Sequence, residues 1–344
     1  MRYGLPYKGS KNGIAEWIVD NLPSADVFVD LFCGGGAITH KALLSGKYKR
    51  FIMNDIDGRL PKLFLDCAYG KYTVENHPEW ITREEFHRQK DTDAYIALVW
   101  SFGNNGKDYL YGADIEDMKH AYHRAVYNGE IDALKPYGYK LSPSDKTDVY
   151  GRYLDYQRQI KKQTPQIMLE VVTRQTEIER LQSLQSLQSL QRLQSLQRLQ
   201  SLQSLQSLQS LQRLQSLQRL QSLGLDYQEV NIPDDALIYC DIPYVGINCG
   251  KYDGFDHERF YAWAWEQNNI YISEYRMPDG FIEVANIDKV VLSSADGNGQ
   301  NANEKIFTNQ KTYDALSKDN KELIALSTAK QMTLFDLGFN PYQE

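Results

Sequence analysis

The chain has 344 residues, 42% hydrophobic and 12% aromatic, enough apolar material for one large core or two smaller ones, which excludes disorder along its whole length. A formal charge of −7, from 38 Lys+Arg against 45 Asp+Glu, argues against a protein that coats nucleic acid through bulk positive charge. No apolar run approaches the roughly 20 residues that span a bilayer, and the N-terminus MRYGLPYKGSK lacks the apolar stretch of a signal peptide. Cys33, Cys67, Cys240 and Cys249 form neither a CxxC pair nor a zinc cluster. These features predict a cytoplasmic protein in a reducing compartment, with no membrane and no metal.

Residues 25–31 (ADVFVDL) read as a short buried strand, followed by the glycine turn Asp30-Leu31-Phe32-Cys33-Gly34-Gly35-Gly36-Ala37 and a helix-like stretch over 35–45. Glycines there let a cofactor approach the backbone at a helix N-terminus. About twenty residues on, a second strand (RFIMN) ends at Asn54-Asp55, where a carboxylate can accept hydrogen bonds from both hydroxyls of a ribose. This pattern is common to nicotinamide and S-adenosylmethionine sites, and DLFCGGG does not satisfy GxGxxG.

Residues 67–175 change composition, with Tyr, Lys and Arg interleaved in segments such as WSFGNNGKDYLYG and YGRYLDYQRQIKK. Residues 118–222 hold 15 Lys+Arg against 8 Asp+Glu, a surplus of +7 that leaves −14 on the remainder. Such a segment suits a phosphate backbone and exposed bases; a solvated helical face has the same composition. Arg152, Arg158, Lys161 and Lys162 are the candidates for phosphate contacts and Asn104 and Asn105 for base edges.

Residues 181–201 (LQSLQSLQSLQRLQSLQRLQS) are repeated without a change over 202–222, including Arg192, Arg198, Arg213 and Arg219. Leucine returns every three residues, a period that fits neither α-helix nor strand, and long 3₁₀ runs are uncommon. A triangular solenoid with inward leucines and a disordered Gln/Ser-rich linker both remain open, the solenoid ahead because the tract is too apolar for an ordinary linker.

Residues 236–240 (ALIYC) form a further buried strand, with Asp241-Ile242-Pro243-Tyr244 directly after it. Strand ends in a doubly wound sheet converge on one crevice, so this tetrapeptide can face the cofactor turn. Hydride transfer has no use for it, whereas methyl transfer to an exocyclic amine does. The adenine amine is a poor nucleophile because its lone pair is delocalised. Hydrogen bonds from its two protons to the Asp241 carboxylate and the Ile242 carbonyl favour the pyramidal form. Tyr244 would stack on a base flipped from the duplex, and Pro243 would stiffen the turn. A helix-like stretch over 257–268 and a strand within 284–294 complete the alternation.

With these residues in view the sequence resembles the Dam-type (D12 class) N6-adenine DNA methyltransferases, over most of the chain. The family's N-terminal motif resembles Pro6-Tyr7-Lys8-Gly9-Ser10-Lys11, which implies that Tyr7 and Lys11 lie around S-adenosylmethionine. Its FxGxG turn is matched by Phe32, Gly34 and Gly36 after Asp30, its ribose-binding acid by Asp55, and its DPPY motif by residues 241–244. Asp226-Tyr227 sits where the family has a short motif near the cofactor's adenine. Ile242 departs from the family's proline, which removes a restriction on φ but keeps the carbonyl.

The resemblance implies an α/β fold: a Rossmann-like S-adenosylmethionine-dependent methyltransferase domain formed by 1–66 and 224–344. Into it are inserted a mostly helical DNA target-recognition domain (67–179) and a leucine-rich LQS triplet repeat (180–223). The activity implied is site-specific methylation of adenine N6 in double-stranded DNA, as in restriction-modification. A catalytically impaired cofactor- and DNA-binding relative and an N4-cytosine methyltransferase are the alternatives. Near the C-terminus Gln331-Met332-Thr333-Leu334-Phe335 resembles the QLxLF peptide that docks DNA enzymes on the replication sliding clamp, an expected partner; packing on the protein's own core would also use Leu334 and Phe335.

Overall fold

The computed structural model describes residues 3–73, 76–77, 79–174, 201–202, 205, 208, 211, 215–245, 254–292, 299–316 and 321. The chain divides into two compact units, one of Lys11–Pro61 with Arg213–Glu344 and the other of Met1–Ser10 with Lys62–Gln212. The strands are β1 (Val27–Asp30), β2 (Arg50–Asn54), β3 (Leu220–Leu223), β4 (Ala236–Asp241), β5 (Ile270–Glu274), β6 (Ile282–Leu292) and β7 (Gly299–Thr308). The helices are α1 (Ala15–Asn21), α2 (Ala37–Ser45), α3 (Arg59–Ala68), α4 (Arg83–Gln89), α5 (Ala94–Val99), α6 (Glu116–Asn128), α7 (Val149–Arg174), α8 (His257–Glu266) and α9 (Gln310–Ala315).

The strands form one sheet in the first unit, in the order β3-β2-β1-β4-β5-β7-β6. Pairing is parallel from β3 through β5, and β7 is inserted antiparallel between β5 and β6. The fold is therefore mixed α/β and Rossmann-like. β1 and β4 are near-continuous apolar runs because strands covered on both faces have no side left for polar residues. Val27, Val29, Ile238, Cys240, Ile270 and Ile272 build the core with Phe260 and Ala264 of α8 on one face. The parallel register brings the C-terminal ends of β1, β2, β4 and β5 to one edge, where Asp30, Asn54, Asp241 and Glu274 sit.

The repeat contributes to this sheet directly. Residues 220–223, counted with the insertion in the sequence, form β3 against β2, with Phe51 level with Leu220 and Asn54 level with Leu223. A 3₁₀ turn over Gln215–Arg219 precedes it and buries Leu217, and three residues per turn is the period at which the leucines share one edge. Residues 181–200 lie outside the described residues, so neither solenoid nor linker is assigned to them.

The other unit is mostly helical. Trp100, Phe86 and Tyr139 are fully buried within it, and so are Leu202, Leu205, Leu208 and Leu211 of the repeat. Two of its helices start on side-chain caps: Thr82 and Glu85 form a reciprocal capping box on α4, and Asp93 accepts from Ile96 N on α5. Among the described residues no helix is long and apolar enough to cross a membrane, and no group of three or more His, Cys, Asp or Glu is placed to hold a metal ion. Cys33, Cys67 and Cys240 are buried free thiols.

Candidate functional site

The glycine turn after β1 is shaped by its backbone. Gly36 opens α2 at φ 69°, a left-handed conformation that side chains disfavour, and its N–H donates to Cys33 O at 2.7 Å. Asp55, at the end of β2, accepts from Gly34 N at 2.9 Å and from Asp57 N at 2.9 Å. Each of its oxygens thus holds a backbone donor, and a carboxylate oxygen can accept more than one. The carboxylate fixes the turn as well as facing it.

Asn54 ties a third segment to this place. Its Nδ2 donates to Leu31 O (3.1 Å) and Leu225 O (3.0 Å), and its Oδ1 accepts from Leu225 N (3.0 Å). Beside it the chain after β3 crosses the chain after β2 backbone to backbone: a Cβ on Gly224 would lie 2.6 Å from Gly58 Cα. This brings Asp226 and Tyr227 to the turn, where the Tyr227 ring lies 5.5 Å from that of Phe32. Asp226 caps the following 3₁₀ turn by accepting from Gln228 N, and pairs with Arg259 of α8 at 3.2 Å. Arg259 also covers the Tyr227 ring. Asn54 and Arg259 were not singled out in the sequence; Asn54 stands next to a motif residue, while Arg259 has no local signal.

Asp30 is buried at the end of β1. One oxygen accepts from Thr39 Oγ1 at 2.7 Å, and the other, Oδ1, has no hydrogen-bond partner among the described residues. Burial, against the Thr39 hydrogen bond, with the carboxylates of Asp241 and Asp55 adding to it, raises its pKa to about 7.

Across from it Asp241 ends β4. Lys11 Nζ lies 2.9 Å from Asp241 Oδ1, 3.5 Å from Glu304 Oε1 and 4.3 Å from the centre of the Tyr244 ring. The Tyr244 hydroxyl donates to Glu304 Oε1, and Tyr275 packs edge-on against Tyr244 at 4.6 Å. Burial works against the Lys11 charge, but Asp241 and Glu304 outweigh it and hold the ammonium above its ordinary pKa. Burial first, then Asp241 and Glu304, push the Tyr244 phenol well up. Glu274, at the end of β5, is raised to about 7 by burial. Glu304, Tyr275 and Glu274 were not foreseen, because Glu274 and Tyr275 reach the site through the pairing of β5 with β4 and Glu304 through that of β7 with β5.

Ile242 is 2% exposed and belongs to the core cluster with Leu31, Cys240 and Phe260. The turn that the family's proline would stiffen is held here by side-chain burial and by His257 Nε2, 2.7 Å from Pro243 O. The structure therefore brings together Lys11, Asp30, Phe32, Gly34, Gly36, Asp55, Asp226, Tyr227 and residues 241–244 in one unit. Tyr7 belongs to the other unit, where its carbonyl accepts from Ser10 N.

The residues expected at DNA divide into two groups. Asn104 Nδ2 donates to Leu98 O (2.7 Å) and Ser201 Oγ (3.0 Å). The Asn105 amide donates to Asp108 and accepts from Lys107 N and Asp108 N. Both amides are engaged in shaping their own loop. Arg152 donates to Val126 O and Thr147 O, tying α7 to the end of α6. Arg158, Lys161 and Lys162 are exposed on α7, at the i, i+3, i+4 spacing that shares a helix face. Gln331–Phe335 lies outside the described residues.

Residues 7–163 match the family model described as D12 class N6 adenine-specific DNA methyltransferase. The match contains Lys11, the glycine turn and Asp55 and stops well before Asp241. No curated protein matches the chain.

Proposed function

We propose, from the match of residues 7–163 to the family model of the D12 class N6 adenine-specific DNA methyltransferases, that the chain methylates N6 of an adenine flipped out of double-stranded DNA, using S-adenosylmethionine. The family's specificity speaks for adenine over cytosine N4. The observation that carries the reading is Asp241 at the end of β4, on the same sheet edge as the glycine turn and Asp55.

The residues present fit S-adenosylmethionine. The buried Asp30 carboxylate has an oxygen with no described partner, suited to the cofactor's ammonium; Phe32 and Tyr227 offer an aromatic wall, and Asp55 is a carboxylate of the kind that accepts from ribose hydroxyls. When bound, the cofactor supplies an electrophilic methyl group on a sulfonium.

The Asp241 carboxylate accepts a hydrogen bond from one N–H of the target amine and the Ile242 carbonyl one from the other, which localises the nitrogen lone pair. Catalysis then rests on positioning and these hydrogen bonds. Tyr244 receives the base on its ring, a step that requires Lys11 to slide from that face. Arg158, Lys161 and Lys162 supply sequence-independent phosphate contacts.

The test is Asp241→Ala assayed on unmethylated DNA: methylation is lost, while S-adenosylmethionine affinity stays within about tenfold, or 1.4 kcal/mol. Retained turnover contradicts the assignment.

A further inference from the structure

Glu304 sits where a carboxylate is costly. It lies on β7, the strand inserted between β5 and β6, and the register Glu274↔Lys305 puts it level with Tyr275 just past the end of β5. It is fully buried, and a buried carboxylate is retained only with partners that compensate its desolvation. Its Oε1 takes the Tyr244 hydroxyl and lies 3.5 Å from the Lys11 ammonium.

The ammonium thus stands between two carboxylates of unequal exposure. The Asp241 side chain is 20% exposed, that of Lys11 10%, and that of Glu304 0%. An incoming amine meets the outer carboxylate first, yet Asp241 Oδ1 is already taken by Lys11 at 2.9 Å. A carboxylate can accept further donors, but the same ammonium lies 4.3 Å from the centre of the Tyr244 ring: a base that stacks on that face displaces Lys11, and a buried ammonium moves cheaply only if a second anion receives it.

We propose that Glu304 is a positioning residue for methyl transfer: it receives Lys11 when Asp241 turns to the target amine, and it anchors the Tyr244 hydroxyl so that the ring keeps its place during the exchange. The proposal rests on Asp241 being the acceptor for the target amine. No covalent bond changes; one hydrogen-bonded ion pair is traded for another across less than the span of the site. The sequence offers no sign of it, since Glu304 lies in the polar stretch GQNANEKIFT.

A pH profile separates this role from structural support. Lys11 faces Asp241 of β4, Glu304 of β7, Tyr244 after β4 and Tyr275 after β5, with Glu274 also within electrostatic reach. Glu304→Gln keeps the shape and an acceptor for Tyr244 but removes one of the two carboxylates that hold the Lys11 proton. Single-turnover methylation measured from pH 6 to 11 is expected to fall at least about tenfold at its plateau. The alkaline limb, which in wild type lies above the ordinary lysine range, is expected to move down by about one pH unit and so to enter the measured range, a tenfold change in proton affinity. S-adenosylmethionine affinity measured by calorimetry stays within about threefold. Glu304→Asp restores the charge and returns the alkaline limb, although its shorter reach leaves the plateau below wild type.

A wild-type rate in Glu304→Gln overturns the proposal, as does a lower rate with the alkaline limb unmoved. If Glu304→Gln does not unfold cooperatively on heating, Glu304→Asp carries the test alone, and a wild-type plateau there overturns the proposal. Methylation that survives Asp241→Ala brings down the functional reading and the proposal with it, whereas loss in Asp241→Ala with unchanged Glu304 variants brings down the proposal alone.

Discussion

The two units use charge in opposite ways. At the sheet edge of the first, Asp30, Asp241, Glu274, Glu304 and Lys11 are largely withdrawn from water, and burial together with neighbouring charges shifts the ionisation of Asp30, Glu274 and Lys11. In the second, Arg158, Lys161 and Lys162 stand exposed on one helix face. Buried charges act at a few ångströms, where geometry decides the outcome. Exposed ones act through salt-dependent attraction, where number and sign decide it. In the proposed function the first unit carries the chemistry and the second holds the polyanion.

The largest effect that would break this comparison is on the chemistry. Asp241→Ala is expected to lower methylation by on the order of 10²–10³-fold or more, read by mass spectrometry of nucleosides, with DNA affinity little changed. Ile242→Ala probes the packing beneath the same motif: the buried side chain makes it cost about 2–5 kcal/mol of stability in denaturant unfolding, while the rate per folded molecule stays within a few fold. A rate collapse at full stability would mean that Ile242 acts on the reaction by more than its carbonyl.

The exposed face is tested by replacing Arg158, Lys161 and Lys162 together with alanine. DNA affinity should weaken alike for all sequences, and the slope of log affinity against log salt should fall by about 0.9 for each phosphate that is no longer neutralised. An unchanged slope would remove α7 from the DNA surface. Gly224→Ala sharpens the first unit again, since a methyl group there meets the Gly58 backbone at 2.6 Å. About 1–3 kcal/mol of stability is expected to go, together with weaker cofactor binding through Asp55 and Tyr227.

The smallest effect is a pH dependence. Asp30, held at about 7 against 3.8, keeps in the folded protein a proton that the unfolded chain has released. Its contribution to stability is therefore full below about pH 4 and is lost as pH rises through 7. Glu274, raised to about 7, has the same sign. The melting temperature of wild type should fall more steeply between pH 5 and 8 than that of Asp30→Asn; parallel curves would show that Asp30 is not the group responsible.

The sequence revealed the parts that chemistry and strand ends constrain together. Strands β1, β2 and β4 were legible as apolar runs bounded by turns, and Phe32, Gly34, Asp55 and Asp241 follow them directly. Strand β3 was not, because its residues belong to a three-residue repeat whose leucines show no strand alternation; it is a strand because β2 offers it an edge. Glu304 was hidden for a related reason: pairing between β5 and β7 brings it to Lys11 from 293 positions away in sequence. Asn104 and Asn105 show the converse, amides conspicuous in sequence whose hydrogen bonds are spent on a loop with a left-handed residue at Asn104.

The central claim is that this sheet edge methylates adenine. Its most direct test incubates the purified full-length protein, and in parallel Asp241→Ala, with S-adenosylmethionine and unmethylated genomic DNA, then analyses the nucleosides and maps the modified positions. N6-methyladenine in one recurring sequence with wild type, and none with Asp241→Ala, is the predicted result. N4-methylcytosine, or no methylated base from wild-type protein that binds the cofactor, would contradict it.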